Sequence, residues 1–268
     1  LMRIVTKYLE GAPLVTSYIL DVGGVRVVVD PGPASLHEPL DVDAVVCTHI
    51  HLDHCGSAGH IGRPTYVHER YVKHVVDPSK LYESSRSVLG VFAEKFGRPL
   101  PNEQAVGVAD GARLFDAFDA FHTPGHAPHH VMYFYRDGKI LFTGDGGGVY
   151  ISELGVVIPT TPPPFRLDAY LQSLSRVAGL GAEAVCFPHY GCTRDVEVLR
   201  RHVEQVKSWV EALEGRLDLS VDEALRMLAR ADENVAKVLE VGGLYLEFYL
   251  RFTVLGFLEY LRGVGKPG

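Results

Sequence analysis

The run Thr48-His49-Ile50-His51-Leu52-Asp53-His54 sets three imidazoles and a carboxylate side by side, directly after the apolar stretch Ala44-Val45-Val46-Cys47. Neutral imidazole is the commonest protein metal ligand, and histidine nitrogen with carboxylate oxygen suits zinc and its first-row neighbours. As core residues the same groups would be costly, roughly 1–3 kcal/mol for each buried polar group left without a partner. The run therefore reads as a metal site at the end of a β-strand.

Working outward, short β-rich runs cover residues 3–8, 16–21, 25–30 and 44–48, with Gly23-Gly24 as a hairpin turn. A further short strand is expected at 65–68. The spacing then turns helical over 79–96, interrupted by Gly90, so residues 69–104 read as a helical insertion. Strand signals resume at 112–115, 117–123, 131–135 and 139–143, with a turn at Asp137-Gly138, and the second half repeats the first in outline. Residues 158–165, Ile-Pro-Thr-Thr-Pro-Pro-Pro-Phe, are too proline-rich for a helix or central strand and read as a stiff loop. A helix over 167–178 and a strand over 184–187 follow, and residues 195–262 are helical by periodicity, with breaks near Gly215 and Gly242-Gly243.

Three more ligand candidates lie just past β-like runs. His126 follows Phe121-His122-Thr123-Pro124-Gly125, Asp145 follows Ile140-Leu141-Phe142-Thr143-Gly144, and His189 follows Val185-Cys186-Phe187-Pro188. Ligands at strand ends of a layered fold can converge on one sheet edge, and glycine permits close backbone approach.

Taken together, His-x-His-x-Asp-His followed by Gly-His, Gly-Asp and Pro-His resembles the metallo-β-lactamase fold superfamily of metallohydrolases, over roughly residues 3–192, with a glyoxalase II-like outline. The resemblance implies an α+β fold, a four-layer αββα sandwich, with a helical insertion and a helical C-terminal extension. Residues 1–194 would form the catalytic domain and 195–268 an extension packed on it. By the same resemblance His49, His51 and His126 hold one metal, Asp53, His54 and His189 a second, and Asp145 bridges them. Two divalent ions are expected, zinc first, with iron or manganese as alternatives. A metal-bridging hydroxide would be the nucleophile, because coordination lowers the pKa of water from 15.7 to about 7, and Asp53 could accept its proton.

The expected reaction is hydrolysis of a carboxylic ester, thioester, lactone or lactam. Phosphodiester or phosphotriester hydrolysis is the alternative within the fold, and a mononuclear iron persulfide dioxygenase-like activity is another. Flavodiiron-type members place glutamate where His51 stands, which argues against that branch. Quorum lactonases carry tyrosine three residues after the bridging aspartate, where this chain has Gly148, with Tyr150 two further on. Tyr190, beside His189, is the candidate for hydrogen-bonding an oxyanion or leaving group, set against a plain packing role.

Bland readings are given to the other histidines. His129 and His130 either orient His126 or are structural, as do His60, His68 and His122, while His37, His74 and His202 are expected on the surface. Cys55 reads as a buried thiol rather than a ligand. The aromatic stretch Leu244-Tyr245-Leu246-Glu247-Phe248-Tyr249-Leu250-Arg251-Phe252 suits core packing, a pocket wall or a homodimer face, and the insertion and proline loop are candidates for a lid and a rim.

Composition bounds the partners. The 268 residues, 47% hydrophobic and 22% charged, can bury one sizeable core. A net charge of −7 argues against nucleic acid or an anionic membrane as partner and leaves a small-molecule substrate. Residues 244–261 carry Glu247, Arg251 and Glu259, which a membrane span would avoid, and the N-terminal residues lack a secretory pattern. Cys47, Cys55, Cys186 and Cys192 lack paired Cys-x-x-Cys spacing and are expected as free thiols in the cytoplasm. Asparagine and glutamine are scarce, a bias shared with hyperthermophile proteins, so a thermostable chain is expected.

Overall fold

A computed structural model describes residues 2–263, in which the β-rich runs pair into two six-stranded sheets. The first contains β1 (Met2–Leu9), β2 (Ala12–Val22), β3 (Val25–Val29), β4 (Ala44–Val46), β5 (Thr65–His68) and β6 (Ala105–Val108), side by side in chain order. β1 to β3 form an antiparallel meander, whereas β3 to β6 run parallel. Helices α1 (Leu52–Cys55), α2 (Ala58–Ile61), α3 (Lys73–Val76), α4 (Ser79–Leu89) and α5 (Val91–Phe96) fill the connections. The second half contributes β7 (Arg113–Leu114), β8 (Phe118–His122), β9 (Val131–Tyr135), β10 (Ile140–Phe142), a separate hairpin of β11 (Val149–Ile151) and β12 (Val156–Ile158), α6 (Leu167–Ala178), β13 (Ala184–Phe187) and β14 (Gly191–Thr193). Its sheet has the order β14-β13-β10-β9-β8-β7. Four helices complete the described residues: α7 (Val198–Leu213), α8 (Val221–Ala231), α9 (Glu233–Val241) and α10 (Leu244–Gly263).

The period-two rule sorts these residues into layers. In β3, Val27 and Val29 enter the layer between the sheets, with Tyr18, Leu20 and Val46 from the same sheet and Phe118, Ala120, Val131, Tyr133 and Phe142 from the other. Val28 and Val45 point the opposite way, onto Ile50, Cys55 and Ala58 of the first helical layer. Met132, Leu141, Val185 and Phe187 face the second helical layer, where Trp209, Leu228, Val254 and Phe257 lie. Strand segments buried on both faces read as continuous apolar runs such as Val27-Val28-Val29, and the result is an αββα sandwich. Each fully buried Val, Leu or Phe side chain contributes roughly 1.5–3 kcal/mol, whereas exposed ion pairs such as Arg26–Asp21 are screened by water and add little.

Differences from expectation are local. The strands β6, β11, β12 and β14 are only three or four residues each, too short to show a strand period; β14 is a strand because β13 pairs with it. The expected strand 112–115 shrinks to two residues, since Phe115 and Asp116 both take a positive φ of 54°. The four-free-thiol expectation is corrected: Cys186 and Cys192 are directly opposite across β13 and β14 and form a disulfide, while Cys47 and Cys55 are free and buried. A spacing of six residues gave no sign of this, because only the tight turn brings the pair together. The thiol argument for a reducing compartment lapses with it. Among the described residues no helix is long and apolar enough to cross a membrane.

His202 is a second correction, being 1% exposed on α7 rather than at the surface. Its Nε2 meets the Tyr170 hydroxyl at 2.8 Å, and burial lowers its pKa to about 4. Because that value lies below the unfolded value of about 6.5, the unfolded chain binds the proton more readily. Stability should be complete above about pH 6.5 and fall as pH drops towards 4, by on the order of 3 kcal/mol from this group. Urea titrations of the protein and of His202→Phe across that range should show a shallower loss in the variant; equal slopes would refute the assignment.

Candidate metal centre

Strand direction brings the candidate ligands to one edge. β8, β10 and β13 run the same way, with β9 antiparallel between β8 and β10, so the turns that follow all three emerge on the same side. Those turns carry His126, Asp145 and His189, and the run 48–54 leaves the end of β4 opposite them. The two edges are laced together: the Val131 N–H donates to the Thr48 carbonyl at 2.7 Å and the Thr16 N–H to that of Pro188 at 2.6 Å. Gly125 precedes His126 at φ 139°, where a Cβ would lie 2.4 Å from the Tyr170 Cα, so only glycine lets α6 pack against this turn.

Seven side chains converge there in two groups. His49, His51, His126 and Asp145 form one, and Asp53, His54 and His189 the other, each with ligand atoms within 4.8 Å of one another. Asp145 lies between them. Its Oδ2 is 3.5 Å from His126 Nε2 and 4.0 Å from His49 Nε2, and its Oδ1 is 3.4 Å from His54 Nε2 and 3.3 Å from His189 Nε2. Thus one carboxylate oxygen faces each group.

The outer nitrogen of most rings is held in place. His126 Nδ1–H donates to the Thr160 carbonyl (2.7 Å), His189 Nδ1–H to that of Leu14 (2.5 Å) and His49 Nδ1–H to the Thr48 hydroxyl (3.0 Å). These bonds put the proton on Nδ1 and turn the Nε2 lone pair inward. His51 presents Nδ1 instead, 3.2 Å from His126 Nε2. The Nε2 atoms of His49, His54 and His189 and the Oδ1 of Asp145 are buried without any hydrogen bond. Four such atoms aimed at one small volume, each costing about 1–3 kcal/mol unpaired, fit a metal ligand set and nothing else in the chain's chemistry.

Electrostatics agree. Burial drives the His49 imidazole well below its usual pKa and holds His51 at about 3, so both keep a free lone pair at neutral pH. For Asp53, burial pushes upward, but the adjacent His54 charge outweighs it and holds the carboxyl at about 2. His54 is the converse: burial pushes down, and the Asp53 and Asp145 carboxylates carry it well above the usual range. A proton there supplies the positive charge that two buried carboxylates demand, and a divalent cation would displace it.

Asp30 was not foreseen from sequence. It sits just past β3 in the left-handed region at φ 48°, 2% exposed. Its Oδ1 accepts the Thr48 N–H (2.8 Å), and its Oδ2 accepts the Thr48 hydroxyl (2.7 Å) and faces His54 Nδ1 at 3.4 Å. It therefore anchors both ends of the metal run. The Asp-Pro-Gly sequence at 30–32 was the available signal, a buried polar residue closing a strand. His130 acts on Asp145 rather than on His126: its Nε2 accepts the Gly146 N–H (3.1 Å) and its Nδ1 pairs with the Thr123 hydroxyl (2.8 Å), bracing the turn 144–147. His68 and His122 stack on each other at 3.8 Å, and His37 and His60 pair at 5.3 Å, all outside the two groups.

A cavity of about 240 Å³ opens onto this centre. His51, Asp53, His126, His129 and Asp145 line its floor; Leu81, Ser84, Ser85, Val88 and Leu89 of α4, Pro162 and Pro163, and Phe248, Tyr249 and Phe252 of α10 form its walls. The lining contains no lysine or arginine. Tyr190 is absent from it, half-buried at φ 68° behind His189. The phenol that reaches the centre is Tyr249, whose hydroxyl donates to Asp53 Oδ2 at 3.4 Å and lies 3.4 Å from His189 Nδ1. Gly256 lets α10 lie against the proline loop, since a Cβ there would be 1.7 Å from the Thr161 carbonyl oxygen.

Residues 11–189 match the family model of the metallo-β-lactamase superfamily. The chain is 30% identical over 217 residues to the metallo-β-lactamase fold-containing protein ST1585 of Sulfurisphaera tokodaii, covering 74% of this chain and 81% of that one. The crystal structure of ST1585 superposes with a TM-score of 0.73, at 25% identity and 98% coverage of both chains. TTHA1623 in a di-iron-bound form gives a TM-score of 0.56 at 28% identity, over 75% of this chain and 98% of that one. An atrochrysone carboxyl ACP thioesterase of Aspergillus fumigatus is 26% identical over 205 residues, 70% of this chain but 54% of the relative. The chain belongs to the metallo-β-lactamase superfamily and is a metal-dependent hydrolase.

The Asp30 contacts yield a direct expectation. Asp30→Ala should weaken metal binding on the order of 10–100-fold, because it frees both Thr48 and the outer nitrogen of His54. Competition against a chromophoric chelator measures this, and unchanged affinity would remove Asp30 from the centre.

Proposed function

We propose that the protein is a two-metal hydrolase of uncharged carboxylic esters or thioesters bearing an apolar acyl group. The observation that carries this is the Asp145 carboxylate, with one oxygen facing each of two ligand groups, at the floor of an apolar cavity without a cationic side chain. His49, His51 and His126 would hold one ion, Asp53, His54 and His189 the other, and Asp145 both; zinc, iron and manganese all suit this donor set. When bound, such ions supply Lewis acidity and lower the pKa of coordinated water from 15.7 to about 7, making hydroxide available at neutral pH.

The chain's own groups supply the rest. Asp53 lines the cavity floor as a carboxylate and can take up the proton released on attack. Burial raises the Tyr249 phenol well above its usual pKa, so it keeps its single O–H through the working range; Asp53 accepts that hydrogen here, and it would turn to the acyl oxyanion once a metal holds Asp53. The walls from α4 and α10 shed water from the acyl chain at roughly 0.8 kcal/mol per buried methylene. Beyond the metal ligands, further anionic groups on a phosphodiester or on a carrier would meet no lysine or arginine in the walls and would lose hydration without return. This favours carboxylic over phosphoric esters, and the thioesterase relative supports the thioester reading.

Protein reconstituted separately with zinc, manganese and iron should be assayed on esters and thioesters of butanoate, hexanoate and octanoate, and on a lactone, a β-lactam, a phosphodiester and a phosphotriester. We expect kcat/KM to rise about fourfold per added methylene until the cavity is full, and Asp145→Ala to lose both metal and turnover. Preference for the phosphodiester, or one iron per chain with oxygen uptake, would overturn the reading. Tyr249→Phe should retain its metal yet lose on the order of a hundredfold in kcat; an unchanged kcat would return Tyr249 to a packing role.

A further inference from the structure

Two cysteine pairs bracket two of the four ligand-bearing segments. Cys186 and Cys192, already joined, enclose the turn that carries His189. Cys47 and Cys55 enclose Thr48 to His54, and hence His49, His51, Asp53 and His54. The Cys47 and Cys55 sulfurs lie 2.6 Å apart. Non-bonded heavy atoms settle at about 3.5–4.0 Å and a disulfide at about 2.05 Å, so this contact is far too short for two independent thiols. The pair is also sealed from other partners, with Cys47 at 0% and Cys55 at 7% exposure, and neither belongs to the two ligand groups. The backbone holds both ends: Cys47 is in a β-ladder bond with Tyr66 and accepts the Tyr133 hydroxyl, and the Cys55 N–H donates to His51.

We propose that Cys47 and Cys55 form a second disulfide, which closes the metal-binding run on itself, so that this run and the His189 turn are each covalently clamped. The two S–H bonds break and one S–S bond forms. The two electrons pass to a small-molecule disulfide, which is released as two thiols after a mixed-disulfide step, and the two protons accompany them. Because both sulfurs are buried, the exchange takes place while the chain folds, and the finished bond is shielded from reductants. The clamp limits how far His49 and His54 can separate when the metal leaves; this consequence rests on the metal-centre reading, whereas the bond itself does not.

Protein refolded from denaturant in the presence of oxidised glutathione, then denatured without reductant and treated with N-ethylmaleimide, tests the bond by intact mass and peptide mapping. No maleimide should be added, and the peptide spanning Cys47 and Cys55 should be two hydrogens lighter than its reduced form. Maleimide on both Cys47 and Cys55 would overturn the proposal. The doubly substituted Cys186→Ala, Cys192→Ala protein isolates the clamp. Its zinc should pass to a chromophoric chelator on the order of tenfold faster when the protein is refolded with a phosphine than when it is refolded with oxidised glutathione. Equal rates, with the bond verified by mass, would overturn the clamping role. Protein that binds no zinc in either state would refute the metal reading while the mass result stands on its own.

Discussion

The Asp145 carboxylate, buried among four imidazoles that it approaches without a hydrogen bond at Oδ1, is the constraint on which the rest of the structure depends. So many converging, desolvated polar atoms are unfavourable by themselves, and the surrounding architecture opposes their dispersal. Two apolar sheets fix the strand ends from which the ligands spring. A ring of backbone carbonyls, those of Leu14 and Thr160, and the Asp30–Thr48 pair hold the outer faces of the rings. Each of these bonds is modest, about 0.5–1.5 kcal/mol net, yet together they decide which nitrogen faces the centre.

Rigidity is distributed unevenly around that centre. The floor is built on strand ends and on side chains almost wholly shut from water. α10, which forms one wall, is anchored by Tyr245, Leu250, Val254, Phe257 and Leu258 in the core, and Thr253 ties it to the proline loop through Thr161 and Pro159. The opposite wall, α4, has no buried residue, and Val88 is 58% exposed. Little apolar burial means little local stability, so α4 is the part of the cavity wall with the least packing to hold it in place.

The metal run, the three later ligands and the layered fold were legible because each rests on a local rule. A strand buried on both faces reads as unbroken valine and isoleucine, a ligand at its end reads as histidine or aspartate beside glycine, and Gly23-Gly24 indeed turns a hairpin with φ of 56° and 80°. Asp30 was missed for the opposite reason: its importance lies in reaching Thr48 and His54, eighteen and twenty-four residues away, and the Asp-Pro-Gly sequence marks a strand end without naming those partners. His202 read as a surface residue because its helix is amphipathic, and only the docking of α6 reveals Tyr170 as its partner.

By itself the sequence determined the type and number of ligand groups, their places at strand ends and the apolar layers, since these follow from periodicity and side-chain chemistry within a few residues. Only the tertiary structure decided which oxygen of Asp145 faces which group, that Tyr249 rather than Tyr190 meets Asp53, and that Cys186 and Cys192 close the turn around His189. Tyr249 and Asp53 are 196 residues apart. Their meeting depends on how the last helix packs across the first half of the chain, a relation set by the summed shape of the core and by no local pattern.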